Sequence, residues 1–200
     1  AHHGRIKEAR KEAESRSHRR SIKSKMKEAT HYNFVKVGNG RLALNHRPGN
    51  KDYALLRELG CTHVVTLLKE SESAKTVGAH TQIAGLEWIW LPIPNGNYPQ
   101  GDVHERMLVA MPKLSQLLDE GRSLLIHCSA GIHRTGTVAY GLLRWRGMER
   151  DEAMQVIHQI RPITAEGMME KRRRWGDENS RQVGSSTSFW TNLLKRFLKK

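Results

Sequence analysis

Two hundred residues with 38% hydrophobic and 27% charged content are enough for one globular domain with a core, plus polar ends. No run of about 18 apolar residues occurs, which excludes a spanning helix, and the first thirty residues lack the apolar stretch of a signal peptide. The net charge of +14 is uneven: residues 1–30 hold ten Lys/Arg against four Asp/Glu and residues 171–200 nine against two, so the middle is almost neutral. The basic ends read either as solvated tails or as attraction to nucleic acid, a membrane surface or acidic proteins. Two cysteines, Cys61 and Cys128, make no disulfide framework, and a reducing, cytoplasmic compartment is the expectation.

In chain order, residues 1–31 are rich in helix formers but poor in apolar anchors, a basic tail or frayed helix. Asn33–Val37 and Arg41–Leu44 flank Gly38-Asn39-Gly40 as a hairpin. Asn50-Lys51-Asp52 can cap a short helix, Tyr53–Leu59, stopped by Gly60. His63–Leu68 is a buried strand, residues 71–84 are weakly helical, and Glu87–Leu91 is another strand ended by Pro92 and Pro94. Asp102 opens a helical pattern that Pro112 kinks or splits and Gly121 ends. Leu124–His127 is a core strand, Thr135–Arg146 a helix closed by Gly147, and Asp151–Ile160 a helix stopped by Pro162. Lys171-Arg172-Arg173-Arg174 beside Trp175 is either a phosphate-binding patch or a solvated helix face. Residues 176–188 read as a linker. Phe189–Lys200 places apolar residues on one helical face and Lys/Arg on the other, the pattern of an interfacial membrane helix or of a terminal helix docked on its own domain. Strands alternating with helices predict an α/β fold with a central, mostly parallel sheet flanked by helices.

The segment Leu124–Thr137 carries the chemistry. A strand runs through a short loop into a helix, and such a turn aims backbone N–H groups and a helix N-terminus at an anion. Gly131 and Gly136 allow tight geometry. Cys128 at the mouth of this loop has its thiolate favoured by the dipole, the amides and the guanidinium of Arg134, so it is a ready nucleophile. Five residues separate Cys128 from Arg134, which lets the chain circle one tetrahedral anion while the Arg fork matches two of its oxygens. Thr135 can hydrogen-bond the sulfur. His63, His104 and His158 show no metal-ligand spacing with either cysteine, so no metal is expected; Cys61, ahead of a core strand, reads as structural.

His127-Cys128-x5-Arg134-Thr135-Gly136 resembles the signature of the protein tyrosine phosphatase superfamily, and Ser129-Ala130-Gly131 looks most like its dual-specificity branch. The resemblance extends over residues 32–175: Leu59-Gly60-Cys61-Thr62-His63-Val64 is similar to an element of that branch, as is Arg161-Pro162. It implies a cysteine-phosphatase fold and a phosphocysteine intermediate formed at Cys128 without metal or cofactor. It also implies phosphate binding by Ser129, Ala130, Gly131, Ile132, His133 and Arg134, with His127 orienting the loop.

The branch places an acid Asp about where Leu91-Pro92-Ile93-Pro94 leads, and this chain has Asn95 there. An amide cannot protonate an alkoxide as a carboxylic acid can. Three explanations compete. Asp102, or less well Glu105, serves as the acid (Asp102 also fits a helix cap); or the substrate has a good leaving group such as a phosphoanhydride; or the chain is a slow enzyme or mainly a phosphate binder. The expected function is a phosphatase acting on phosphotyrosine, phosphoserine or phosphothreonine in proteins. An RNA 5′-triphosphatase is the alternative and a phospho-binding adaptor the second. The expected partners are a phosphoprotein, or RNA, with an anionic membrane contacted through Phe189–Lys200; the chain is expected to be a cytoplasmic monomer, or peripheral at a membrane.

Overall fold

A computed structural model describes residues 32–94 and 98–183. The basic N-terminal segment, Asn95 and the amphipathic Phe189–Lys200 therefore lie outside the described residues. The chain divides into two units, Ala1–Asn33 and Phe34–Lys200; the second holds all the elements below.

In order these are β1 (Val35–Val37), β2 (Gly40–Asn45), α1 (Asp52–Glu58), β3 (His63–Thr66), a 3-10 turn (Glu70–Glu72), α2 (Ala74–Ile83) and β4 (Glu87–Trp90). There follow α3 (Gly101–Asp119), β5 (Ser123–His127), α4 (His133–Trp145), α5 (Arg150–Ile160), α6 (Pro162–Glu166) and α7 (Glu170–Val183). The five strands form one sheet in the order β1-β2-β5-β3-β4. Only the β1–β2 hairpin is antiparallel; β2 and β3 each run parallel to β5, and β4 runs parallel to β3. The expected α/β architecture with a mostly parallel, helix-flanked sheet is what forms. β5 is central and every one of its residues is buried, which explains its unbroken apolar run: a strand covered on both faces has no solvent side to alternate with.

Pro112 neither splits nor ends α3, which runs unbroken through it. Met107, Met111, Leu114 and Leu118 are buried on both sides of the proline, and that packing offsets a cost of about 3 kcal/mol for proline inside a helix. Asp102 is not the cap: the N-cap is Gln100, and Asp102 lies in the first turn, where the dipole favours an acid.

The expected linker at 176–188 needs correction for residues 176–183, which continue α7. Here the helix is held by close approach and a buried polar hub. A Cβ on Gly141 of α4 would lie 2.4 Å from the Trp175 ring, and one on Gly176 would lie 2.7 Å from Tyr140. Asp177 accepts hydrogen bonds from Tyr140 Oη and Arg144 Nε, both at 2.9 Å, and pairs with Arg150 at 3.1 Å. Pro162, expected only to stop a helix, also begins α6, where a missing N–H costs nothing.

Among the described residues no helix is long and apolar enough to cross a membrane, and no group of His, Cys, Asp or Glu could hold a metal ion.

Candidate active site

The carboxyl end of the sheet positions the site. In register, Asn45 of β2 and Thr66 of β3 flank His127 at the end of β5. The next residue, Cys128, is 3% exposed. The chain then turns through Ser129–Ile132 into α4, whose first turn holds His133, Arg134 and Thr135.

Gly131 sits at φ +70°, and a Cβ there would come within 2.2 Å of the Asn45 carbonyl carbon. Only glycine meets both demands. The Gly131 amide donates to Cys128 Sγ at 3.2 Å. Behind the loop, Arg161 Nη1 donates to the Gly131 and Ala130 carbonyls at 2.7 and 3.2 Å, and the Thr164 hydroxyl donates to the Gly131 carbonyl at 2.7 Å. These carbonyls are tied outward, which leaves the opposite, amide side of the loop for the sulfur. The Arg47 amide donates to Ser129 O at 3.2 Å.

Burial alone would push the Cys128 thiol up. The Thr135 hydroxyl and amide, the Arg134 charge and the Gly131 amide outweigh it, so the thiol lies below its ordinary value. The Thr135 hydroxyl oxygen is buried without a hydrogen bond of ordinary geometry; the sulfur is the acceptor it is placed to serve.

Arg134 is anchored by a residue that motif reading does not single out. Its Nη1 and Nη2 donate to the two carboxylate oxygens of Glu72, each at 2.8 Å, and Nη1 also donates to Ile93 O at 3.1 Å. The Arg134 hydrogen bond, against some burial, holds the Glu72 carboxyl down at about 2. Glu72 ends the 3-10 turn after β3, and the left-handed Ser73 follows it. No sequence signal distinguishes it from a solvated turn glutamate, because its partner is 62 residues away.

His127 is fully buried, and that burial pushes it down to about 4. Its tautomer follows from its neighbours. Nδ1 faces the Cys128 carbonyl at 3.3 Å, so it carries the proton. Nε2 then accepts from the Thr66 hydroxyl at 2.9 Å, and Thr66 Oγ1 in turn accepts from the Trp88 indole N–H at 2.9 Å. A relay from β4 through β3 to β5 thus fixes the residue before the sulfur.

Asp102 and Glu105 are both exposed, and among the described residues neither bonds to the Cys128–Arg134 loop. Cys61 lies at the far end of the sheet, donating to His63 O and Ser123 O. Ser123 begins the strand that Cys128 follows, about 16 Å away at strand rise, so the two sulfurs cannot join. Burial pushes the Cys61 thiol up to about 12, as a structural cysteine requires.

A buried thiol with lowered pKa beside an anchored guanidinium, at a strand–loop–helix turn, defines a cysteine-based phosphatase with the dual-specificity fold. Residues 31–182 match the family model described as Swiss Army Knife protein, DSP-PTPase phosphatase domain, and the chain belongs to that family. Its fold is similar to that of a kinase-associated phosphatase (KAP) whose catalytic-site cysteine is replaced by serine (TM-score 0.63, 19% identity, 78% of this chain and 97% of that one). It is also similar to Tk-PTP in a glycine-to-alanine mutant form (0.62, 24%, 79% and 99%) and to PTPMT1 in complex with PI(5)P (0.60, 17%, 76% and 97%). No curated protein matches the sequence.

Proposed function

We propose that this chain hydrolyses phosphomonoesters through a phosphocysteine intermediate. The Cys128 thiolate attacks phosphorus, the bond to the ester oxygen breaks, and that oxygen leaves with the electron pair. Water then attacks phosphorus, releasing inorganic phosphate and the thiolate. Backbone amides of Ser129–Arg134 bind the phosphoryl oxygens, and Arg134, pre-aimed by Glu72, stabilises the charge that spreads over them. Thr135 stabilises the sulfur as it leaves. The observation that carries this reading is the geometry of the turn: the Gly131 amide donates to the buried Cys128 sulfur at 3.2 Å, and Arg134, gripped by Glu72 at 2.8 Å, lies in the first turn of the helix that follows. Phosphorylated proteins are the substrate class this reading favours; the near-neutral middle of the chain gives triphosphorylated RNA less support.

The test is phosphate release from an aryl phosphate, from phosphopeptides and from triphosphorylated RNA, each with a Cys128→Ser control. Turnover that survives the substitution would sink the proposal.

A further inference from the structure

The basic run Lys171-Arg172-Arg173-Arg174 is not one surface. Lys171 and Arg174 are exposed, and Arg173 donates to Glu170 at 2.6 Å. Arg172 is only 3% exposed. Taking a guanidinium out of water is costly unless negative charge or acceptors meet it, so its surroundings decide what it does.

Those surroundings are the phosphate loop and the helix that leaves it. The chain from Arg161 to Met168 wraps the loop. Arg161 and Thr164 donate to the Gly131 carbonyl. A Cβ on Gly167 would lie 2.2 Å from Ile132 Cγ2, and one on Gly136 would lie 2.5 Å from Met168 Sδ. From there α7 runs beside α4 in the same direction: Met168 meets Gly136, Trp175 meets Gly141, and Ser180 meets Arg144. Arg172 lies one turn before Trp175 on the same face. That puts it level with the start of α4, which holds His133, Arg134 and Thr135. Helical side chains lean toward their own N-terminus, which carries this one back toward the loop. The electrostatics agree. Burial lowers the Arg172 guanidinium, and the Cys128 charge opposes that. Burial and Arg172 together hold the His133 imidazole below its ordinary value.

Resting on the phosphocysteine reading, we propose that Arg172 of α7 is a second cation of this site, acting through space to favour the Cys128 thiolate and the doubly charged form of the phosphoryl group bound above it. Arg134 grips the phosphate; Arg172 supplies charge from the helix side. The last helix is then part of the chemistry as well as of the packing.

The experiment compares the full chain with Arg172→Met, Arg172→Lys and Arg174→Met, the last of which removes an exposed charge from the same helix. Two quantities are read: the pH profile of Cys128 alkylation by iodoacetamide, and inhibition of aryl phosphate hydrolysis by inorganic phosphate. Arg172→Met is expected to move the profile up by about one pH unit, which slows labelling on its acid side about tenfold. Inhibition by phosphate should weaken by about tenfold as well. Arg172→Lys should restore most of both, and Arg174→Met should match the unsubstituted chain. An unchanged profile and unchanged inhibition in Arg172→Met would overturn the inference, even if that variant unfolds in less urea, because an arginine that only packs moves stability and not the titration of the sulfur. Equal shifts in Arg172→Met and Arg174→Met would overturn it too, since net charge rather than position would be responsible. If Arg172→Met does not fold, Arg172→Gln, which keeps hydrogen-bond donors, is read against Arg172→Lys with the same outcomes. Phosphate release that survives Cys128→Ser would remove the phosphocysteine reading and this one with it; labelling and turnover that depend on Cys128 but ignore Arg172 would remove this inference alone.

Discussion

Replacing Glu72 by Gln tests the anchoring of Arg134. The amide keeps the size of the side chain but removes the charge from a bidentate pair whose N–O distances are both 2.8 Å. A fall of the Glu72 carboxyl from 4.5 to about 2 corresponds to about 3 kcal/mol. Its side chain is 23% exposed, and screening reduces this to about 2 kcal/mol. Because the folded value lies below the unfolded one, the contribution is complete above pH 4.5 and disappears as the pH falls toward 2. Urea unfolding should therefore find Glu72→Gln less stable by about 2 kcal/mol at pH 7, with the two chains converging at pH 2–3. Arg134, 3% exposed, keeps its charge but loses its aim, so kcat/KM for an aryl phosphate should fall by about 10²-fold, as for a misplacement of about 1 Å. Equal stabilities at pH 7, or a gap that persists undiminished at low pH, would refute the reasoning.

Other tests address the sulfur, the relay, the loop and the last helix. Iodoacetamide at pH 6.5 should alkylate Cys128 and spare Cys61, because the first thiol is held down and the second is pushed up to about 12; peptide mapping reads the outcome, and Cys61 labelling in the folded chain would contradict it. Thr66→Val leaves His127 Nε2 buried without its donor, at a cost of about 1–3 kcal/mol, and should slow Cys128 alkylation, whereas Trp88→Phe, one step further back, should show a smaller effect in the same assay. Gly131→Ala drives a methyl into the Asn45 backbone and should abolish phosphate release while circular dichroism shows the helices retained. Trp175→Ala removes the ring packed on Gly141 and should cost about 3–5 kcal/mol in urea unfolding, which would confirm α7 as part of the domain.

Much of the site is legible in the order of residues because it is local. Strand β5, its loop and α4 are contiguous, so apolar run, glycines, cysteine and arginine spacing all fall within one stretch from Leu124 to Thr137. The same holds for the β1–β2 turn and for the alternation of strands and helices, whose periodicity reports burial directly. The continuation of α7 was hidden because its buried face is made of Gly176, Asp177 and Trp175 rather than an apolar stripe. Its hold on α4 depends on Gly141 and Tyr140, more than thirty residues away.

The sequence by itself determined the nucleophile's setting, the phosphate-circling loop and the lack of a carboxyl between Leu91 and Gly101. Only the tertiary structure decided that Glu72 grips Arg134, that Thr66 and Trp88 set the tautomer of His127, and that Arg161 and Thr164 brace the loop from behind. The reason is physical: backbone conformation and burial pattern follow from neighbours along the chain, whereas a hydrogen bond from a side chain to a partner 30 or 62 residues away exists only once the fold has brought the two together.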